Sequence, residues 1–119
     1  MTKNRWKKRL VEYCKAVGTY RKEFETKIDL AAQILEDRDE ALEEFETNGR
    51  KRTTTQTNKN GSINEVKDPK YAVWKEACRD ASAVLSDLGL DPKSLKKIDE
   101  DAMKPQKKNA LSEALKDLG

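Results

Sequence analysis

DPKYAVWKEACRDASAVLSDLGL, residues 68–90, carries both ends of a helix in one stretch. Asp68 is a capping residue, and Pro69 follows at the first helical position, where a missing N–H costs nothing. Tyr71, Trp74, Cys78, Ala81, Leu85 and Leu88 then recur at steps of three and four, the period of one helix face. Val73, Ala77 and Val84 widen that seam. Gly89 stops the helix because glycine accepts the left-handed backbone of a C-terminal cap.

Upstream, a second long helix is expected from a Thr19 cap to about Phe45. Its seam is Phe24, Ile28, Ala31, Leu35, Leu42 and Phe45, and Leu30, Ile34 and Ala41 widen it, with Arg38 interrupting the apolar arc. Asn48-Gly49 ends it. The stretch between the two long helices is too long for a structureless loop in a compact domain. It holds the β-branched Thr53, Thr54, Thr55, Thr57, Ile63 and Val66, and Asn60-Gly61 suits a tight two-residue turn. A β-hairpin is therefore predicted at about residues 50–67.

Nearer the N-terminus, Trp6, Leu10, Tyr13, Val17 and Tyr20 mark a first helix ending at Gly18, with Arg5, Lys8 and Lys15 away from its apolar stripe. Downstream, Asp91-Pro92 opens a short helix to about Ile98, residues 99–109 read as a polar linker, and Leu111, Ala114, Leu115 and Leu118 stripe a terminal helix. The expected fold is mainly α: a long antiparallel helical hairpin with a β-hairpin inserted between its helices, an N-terminal helix and short C-terminal helices. Its organisation is a basic helix over 1–18, a helical-hairpin domain over 19–98 and a linker with a partner-binding helix over 99–119. Two wide apolar arcs exceed what a helical pair can cover, so further subunits are expected on Leu30, Ile34, Ala41, Val73, Ala77 and Val84. Arg38 there either fixes register, pairs with a neighbouring subunit, or snorkels to water.

Composition narrows the chemistry. The 119 residues are 39% charged and 35% hydrophobic and include no histidine. That excludes Ser-His-Asp and Cys-His catalysis and imidazole zinc sites. Cys14 and Cys78 are far apart with no CxxC, so both read as reduced core thiols rather than a metal or redox pair. There is no P-loop pattern. Glu36, Asp37, Glu40, Glu43 and Glu44 fall on the outer arc of one helix, a solvated face rather than converging metal ligands. No enzyme activity, cofactor, metal or membrane span is expected, and the expected site is the cytosol.

The net charge of +3 is segregated. Residues 1–22 are strongly basic, 23–46 strongly acidic and 47–67 basic again. Such blocks suggest an anionic partner. Lys3, Arg5, Lys7, Lys8, Arg9 and Lys15 form one candidate phosphate-contacting zone, or else a solvated face pairing with the acidic helix. Arg50, Lys51, Arg52 and Lys59 on the hairpin form the other, with defence of an exposed strand edge as the alternative. Trp6 fits the apolar stripe better than it fits base stacking.

Four segments resemble the short phage terminase small subunits of Gram-positive phages and prophages. They are LVEYCKAVGTYRKEFE (10–25), FETNGRKRTTTQTNKNG (45–61), WKEACRDASAVLSDLGLDPKSLKKI (74–98) and NALSEALKDLG (109–119). Leu88 to Leu95 is the most specific piece. The resemblance implies a non-catalytic, ring-forming partner of the packaging motor. Such a protein binds double-stranded viral DNA at the packaging site and loads the large terminase subunit, which carries ATPase and nuclease. It makes Leu111, Leu115 and Leu118 candidates for docking the large subunit, or for packing on their own subunit. Many members place a helix-turn-helix domain before the oligomerisation helices; residues 1–18 have room for one helix, so that domain does not carry over. The alternative is a helical adaptor that binds no DNA.

Overall fold

The computed structural model describes residues 1–94 and 105–118, with side chains in the last segment described from 109 onward. Helix α1 (Lys3–Val17) leads through an extended turn and a short 3-10 turn (Lys22–Phe24) into α2 (Glu25–Thr47). Strands β1 (Thr53–Thr57) and β2 (Ile63–Lys67) follow, then α3 (Pro69–Asp87) and α4 (Pro105–Leu118). The fold is mainly helical, with one two-stranded antiparallel sheet between the long helices.

Helix α2 is the centre of the molecule. Phe45 meets Tyr71 and Trp74 at one end of the α2–α3 pair, and Lys27 meets Asp87 at 2.8 Å at the other, so the two helices run antiparallel. Helix α1 packs on α2, and α4 packs on α1. Trp6, Leu10, Cys14 and Val17 join Ile28, Ala31, Ala32 and Leu35, then Ala81, Val84, Leu85, Leu88 and Leu90, then Leu111, Ala114 and Leu118, in one core. Helices α1 and α4 of the same chain cover part of the arcs expected to await further subunits. Ala41 and Val84 are buried, at 6% and 4% exposure, and Val84 belongs to this core.

The helix ends follow local chemistry. Asp68 accepts from the Lys70 N–H at 2.9 Å and from the Asn48 side chain at 3.1 Å, tying the start of α3 to the end of α2. At the end of α2, the Gly49 N–H reaches Glu46 O and the Arg50 N–H reaches Phe45 O, both near 3 Å, with Gly49 at φ 78°. This is the Schellman cap, which requires a left-handed residue at the position glycine holds. Helices α1 and α3 close the same way at Thr19 and Leu90.

Four sequence expectations are corrected. Thr19 does not cap α2: it is the last residue of the α1 cap, fully buried, and α2 proper starts at Glu25. The hairpin turn is not a two-residue one. Asn58 N–H bonds Ser62 O and Gly61 N–H bonds Asn58 O, leaving a three-residue loop with Gly61 at φ 85°. Asn60 Oδ1 holds it by accepting from the Ser62 N–H at 3.1 Å. That is the type I turn with a glycine bulge, the next commonest hairpin closure. The terminal helix begins at Pro105, inside the expected linker. Cys78 is half-buried rather than in the core. The Asp91 carboxylate caps the Ser94 N–H at 2.9 Å as expected, but the rest of the predicted helix to Ile98, and residues 99–104 of the linker, lie outside the described residues.

Asp68→Ala removes a cap and an inter-helix tie; a loss of about 1–2 kcal/mol is expected in urea denaturation. Burial pushes the Cys14 thiol up. In the folded protein a thiol reagent should therefore modify Cys78 first, with Cys14 following only on unfolding, as mass spectrometry of timed aliquots would show.

Candidate nucleic-acid interface

The N-terminal basic zone is largely answered within the chain. Lys3 and Lys7 both reach Asp29, at 3.2 and 3.4 Å, and Arg9 reaches Asp117 at 3.4 Å. The Lys3 ammonium, with help from Lys7 and against some desolvation, holds the Asp29 carboxyl below its ordinary range. Arg5 lies in a groove with Glu36, Asp39, Glu40 and Glu43. Lys15 sits 5.1 Å above the Tyr20 ring, and Lys8 is exposed. Trp6 is core, 2% exposed, and its indole N–H donates to Asp39 at 2.8 Å. The acidic and basic blocks of the sequence are therefore neighbours in space.

Arg38 is bound inside the protomer. Its guanidinium donates to the Leu118 carbonyl at 2.7 Å and to Asp39 at 3.4 Å, and lies 5.8 Å from the Trp6 ring centre. A cation on the last carbonyls of a helix satisfies orphan acceptors and opposes the helix dipole. Asp117 fixes the same end of α4 from the other side, accepting from the Tyr13 hydroxyl at 2.6 Å. Leu111 and Leu118 are buried against their own chain, and Leu115 is 37% exposed. Leu115 and Leu118 line a groove of about 280 Å³ with Arg38, Cys78, Ala81, Ser82 and Leu85. Among the other residues expected to meet further subunits, Leu30 and Val73 are 50% and 54% exposed, while Ile34 and Ala77 are half-buried.

The hairpin zone is built differently. The α2 cap sets Arg50 at φ 56°, an uncommon conformation for a residue with a Cβ. Its guanidinium lies 5.0 Å from the Phe45 ring centre and 3.5 Å from Glu46. Arg52 lies 6.0 Å from the Tyr71 ring, and Lys75 6.0 Å from Trp74. The three rings form one cluster: Phe45 and Trp74 are stacked at 5.0 Å, and Tyr71 is tilted against both at 5.5 and 6.2 Å. These six residues line a cleft of about 290 Å³. Lys51 and Lys59 are exposed, the latter at the hairpin tip. Tyr71 and Trp74 are legible in the sequence only as seam residues, and Lys75 has no sequence signal beyond its place beside Trp74. Among the described residues, no group of His, Cys, Asp and Glu could hold a metal ion, and no helix is long and apolar enough to cross a membrane.

A family described as phage terminase, small subunit, matches residues 2–105. The match spans both basic zones, the acidic helix and the helical hairpin, and the chain belongs to the phage terminase small subunit family, whose role lies in phage DNA packaging. No curated protein and no solved structure matches it.

Burial, the hydrogen bond to Asp117 and its charge push the Tyr13 phenol above its ordinary value. The raised value means this contact is intact below about pH 10 and disappears as the phenol ionises above that. Asp117→Ala should move the Tyr13 titration down toward the ordinary value, read from tyrosinate absorbance, and speed amide exchange in α4.

Proposed function

We propose that this protein is the non-catalytic DNA-recognition component of a phage packaging machine. It binds duplex DNA at the packaging site through its basic residues, assembles as a closed homo-oligomer, and loads and regulates the large subunit that carries ATPase and nuclease. Its place of action is the cytoplasm of the bacterial host. The observation that carries this reading is the family match over residues 2–105. The segregation of charge into blocks supports an anionic partner.

Subunit contacts fall to the accessible part of the expected set. Leu30 and Val73 are exposed apolar side chains on α2 and α3, and Ile34 and Ala77 flank them half-covered. For the large subunit, the docking element is α4. Leu115 is its outward apolar residue, and a partner that needs Leu111 and Leu118 as well must first lift the helix from α1. The adaptor reading is favoured by one observation, the neutralisation of Lys3, Lys7 and Arg9 within the chain.

Light scattering on a sizing column is expected to give a closed multiple of 13.6 kDa above the dimer. Fluorescence anisotropy with labelled duplex DNA is expected to show binding that weakens as salt rises, with a slope of about −0.9 per neutralised phosphate in the logarithmic plot. Absence of duplex binding even at low salt would favour the adaptor. A strict monomer with and without DNA would remove the ring.

A further inference from the structure

The two basic zones are not equivalent, and the difference lies in what surrounds each cation. On α1, Lys3, Lys7 and Arg9 already face carboxylates, and Arg5 lies in an acid-lined groove. At the root of the hairpin, Arg50 (the α2 cap), Arg52 (the run into β1) and Lys75 (α3) converge on one aromatic cluster. One described carboxylate pairs with them, Glu46 with Arg50 at 3.5 Å, an exposed contact of modest worth as the α1 pairs are, and Arg52 and Lys75 have no described carboxylate partner.

Resting on the reading that this chain binds duplex DNA, we infer that the cleft bounded by Arg50, Arg52, Tyr71, Trp74 and Lys75 is its principal phosphate clamp, with the hairpin laid along the duplex beside it. The rings position the cations: a guanidinium over an aromatic face keeps its N–H edges free to fork onto a phosphate. The left-handed backbone at Arg50, held by its N–H bond to Phe45 O, fixes where that side chain starts. The hairpin continues the track. Its exposed cations are Lys51, Lys59 and Lys67, its strands carry threonines whose hydroxyls suit phosphate oxygens, and its one acidic residue, Glu65, accepts from the Thr53 hydroxyl at 2.6 Å. A two-stranded ribbon has the width to lie in a major groove. Both strand faces are solvent-accessible apart from Thr54 and Val66, so the ribbon is free to do so.

The test uses the full chain, a fluorescein-labelled duplex and anisotropy across a salt series. Arg50→Gln/Arg52→Gln/Lys75→Gln is compared with Lys7→Gln/Lys8→Gln/Arg9→Gln, with circular dichroism and native mass recorded for each. The cleft variant is expected to weaken binding at least tenfold and to flatten the salt slope by about 0.9 for each phosphate it no longer neutralises, while the α1 variant changes affinity less than threefold. Lys75→Gln alone, at an exposed helix position, should weaken binding about threefold and serves if the triple variant does not fold. Wild-type binding that the cleft variants leave intact, or that the α1 variant abolishes, overturns the clamp while the DNA-binding reading stands. A cleft variant whose native mass falls while the affinity of the remaining assembly is unchanged also overturns it, assigning the cleft to a neighbouring subunit's acidic face. Failure of the wild type to bind duplex DNA overturns both.

Discussion

The buried residues of α2 run from Ala41 and Phe45 on one side, through Ala31 and Leu35, to Ile28 and Ala32 on the other, roughly half the helix circumference at about 3.6 residues per turn, so this helix can be desolvated only by neighbours on two sides. That constraint places the other elements. Helix α3 returns antiparallel along one face, α1 folds back over another, and α4 closes on α1. The alanines matter as much as the large residues, because small side chains let helix axes approach while Leu10, Val17 and Leu88 fill the space between them. Burial of this kind outweighs what the surface ion pairs contribute: truncating a core leucine such as Leu10 or Leu35 removes about 2–5 kcal/mol, far more than an exposed, solvent-screened pair such as Lys7 with Asp29 contributes.

Charge then follows from packing. Folding α1 back on α2 sets the most basic segment of the chain beside the most acidic one, and Asp29 serves two lysines at once. These contacts are exposed and are screened over about 8–10 Å at ordinary ionic strength, so they orient side chains more than they stabilise the fold. Their larger consequence is that the N-terminal charge is partly spoken for. At the far end of the α2–α3 pair the helices supply a cluster of aromatic rings, and the cations of the hairpin root gather over them, with Glu46 beside Arg50. Helix α2 thus faces one basic zone with carboxylates and, together with α3, organises the other over aromatic rings.

The docked C-terminal helix joins both themes. Its apolar face completes the core through Leu111, Ala114 and Leu118, and its last turn is gripped by Arg38 on one side and by Tyr13 and Arg9 on the other. Arg38, which interrupts the apolar arc of α2, is explained by this contact. A charged head in that arc has a helix terminus to bind.

Local signals were sufficient for the elements themselves. The Asp68-Pro69 start, the Gly18, Gly49 and Gly89 stops, the three- and four-residue steps of the seams and the threonine-rich hairpin were all readable, because caps, periods and turns depend on residues a few positions apart. Where a local rule had two solutions, as at the Asn60-Gly61 turn and at Thr19, hydrogen bonds that sequence spacing does not specify selected between them. The candidate site was half legible. Arg50 and Arg52 stood out as charge, whereas Tyr71, Trp74 and Lys75 join them only because α3 returns antiparallel and brings its first two turns beside the end of α2. The sequence by itself determined the helices, the hairpin and the blocks of charge, which are properties of neighbours along the chain. Only the tertiary structure decided which apolar faces were covered from within, which cations were already neutralised and which were left to meet a partner, since those depend on residues brought together across the chain.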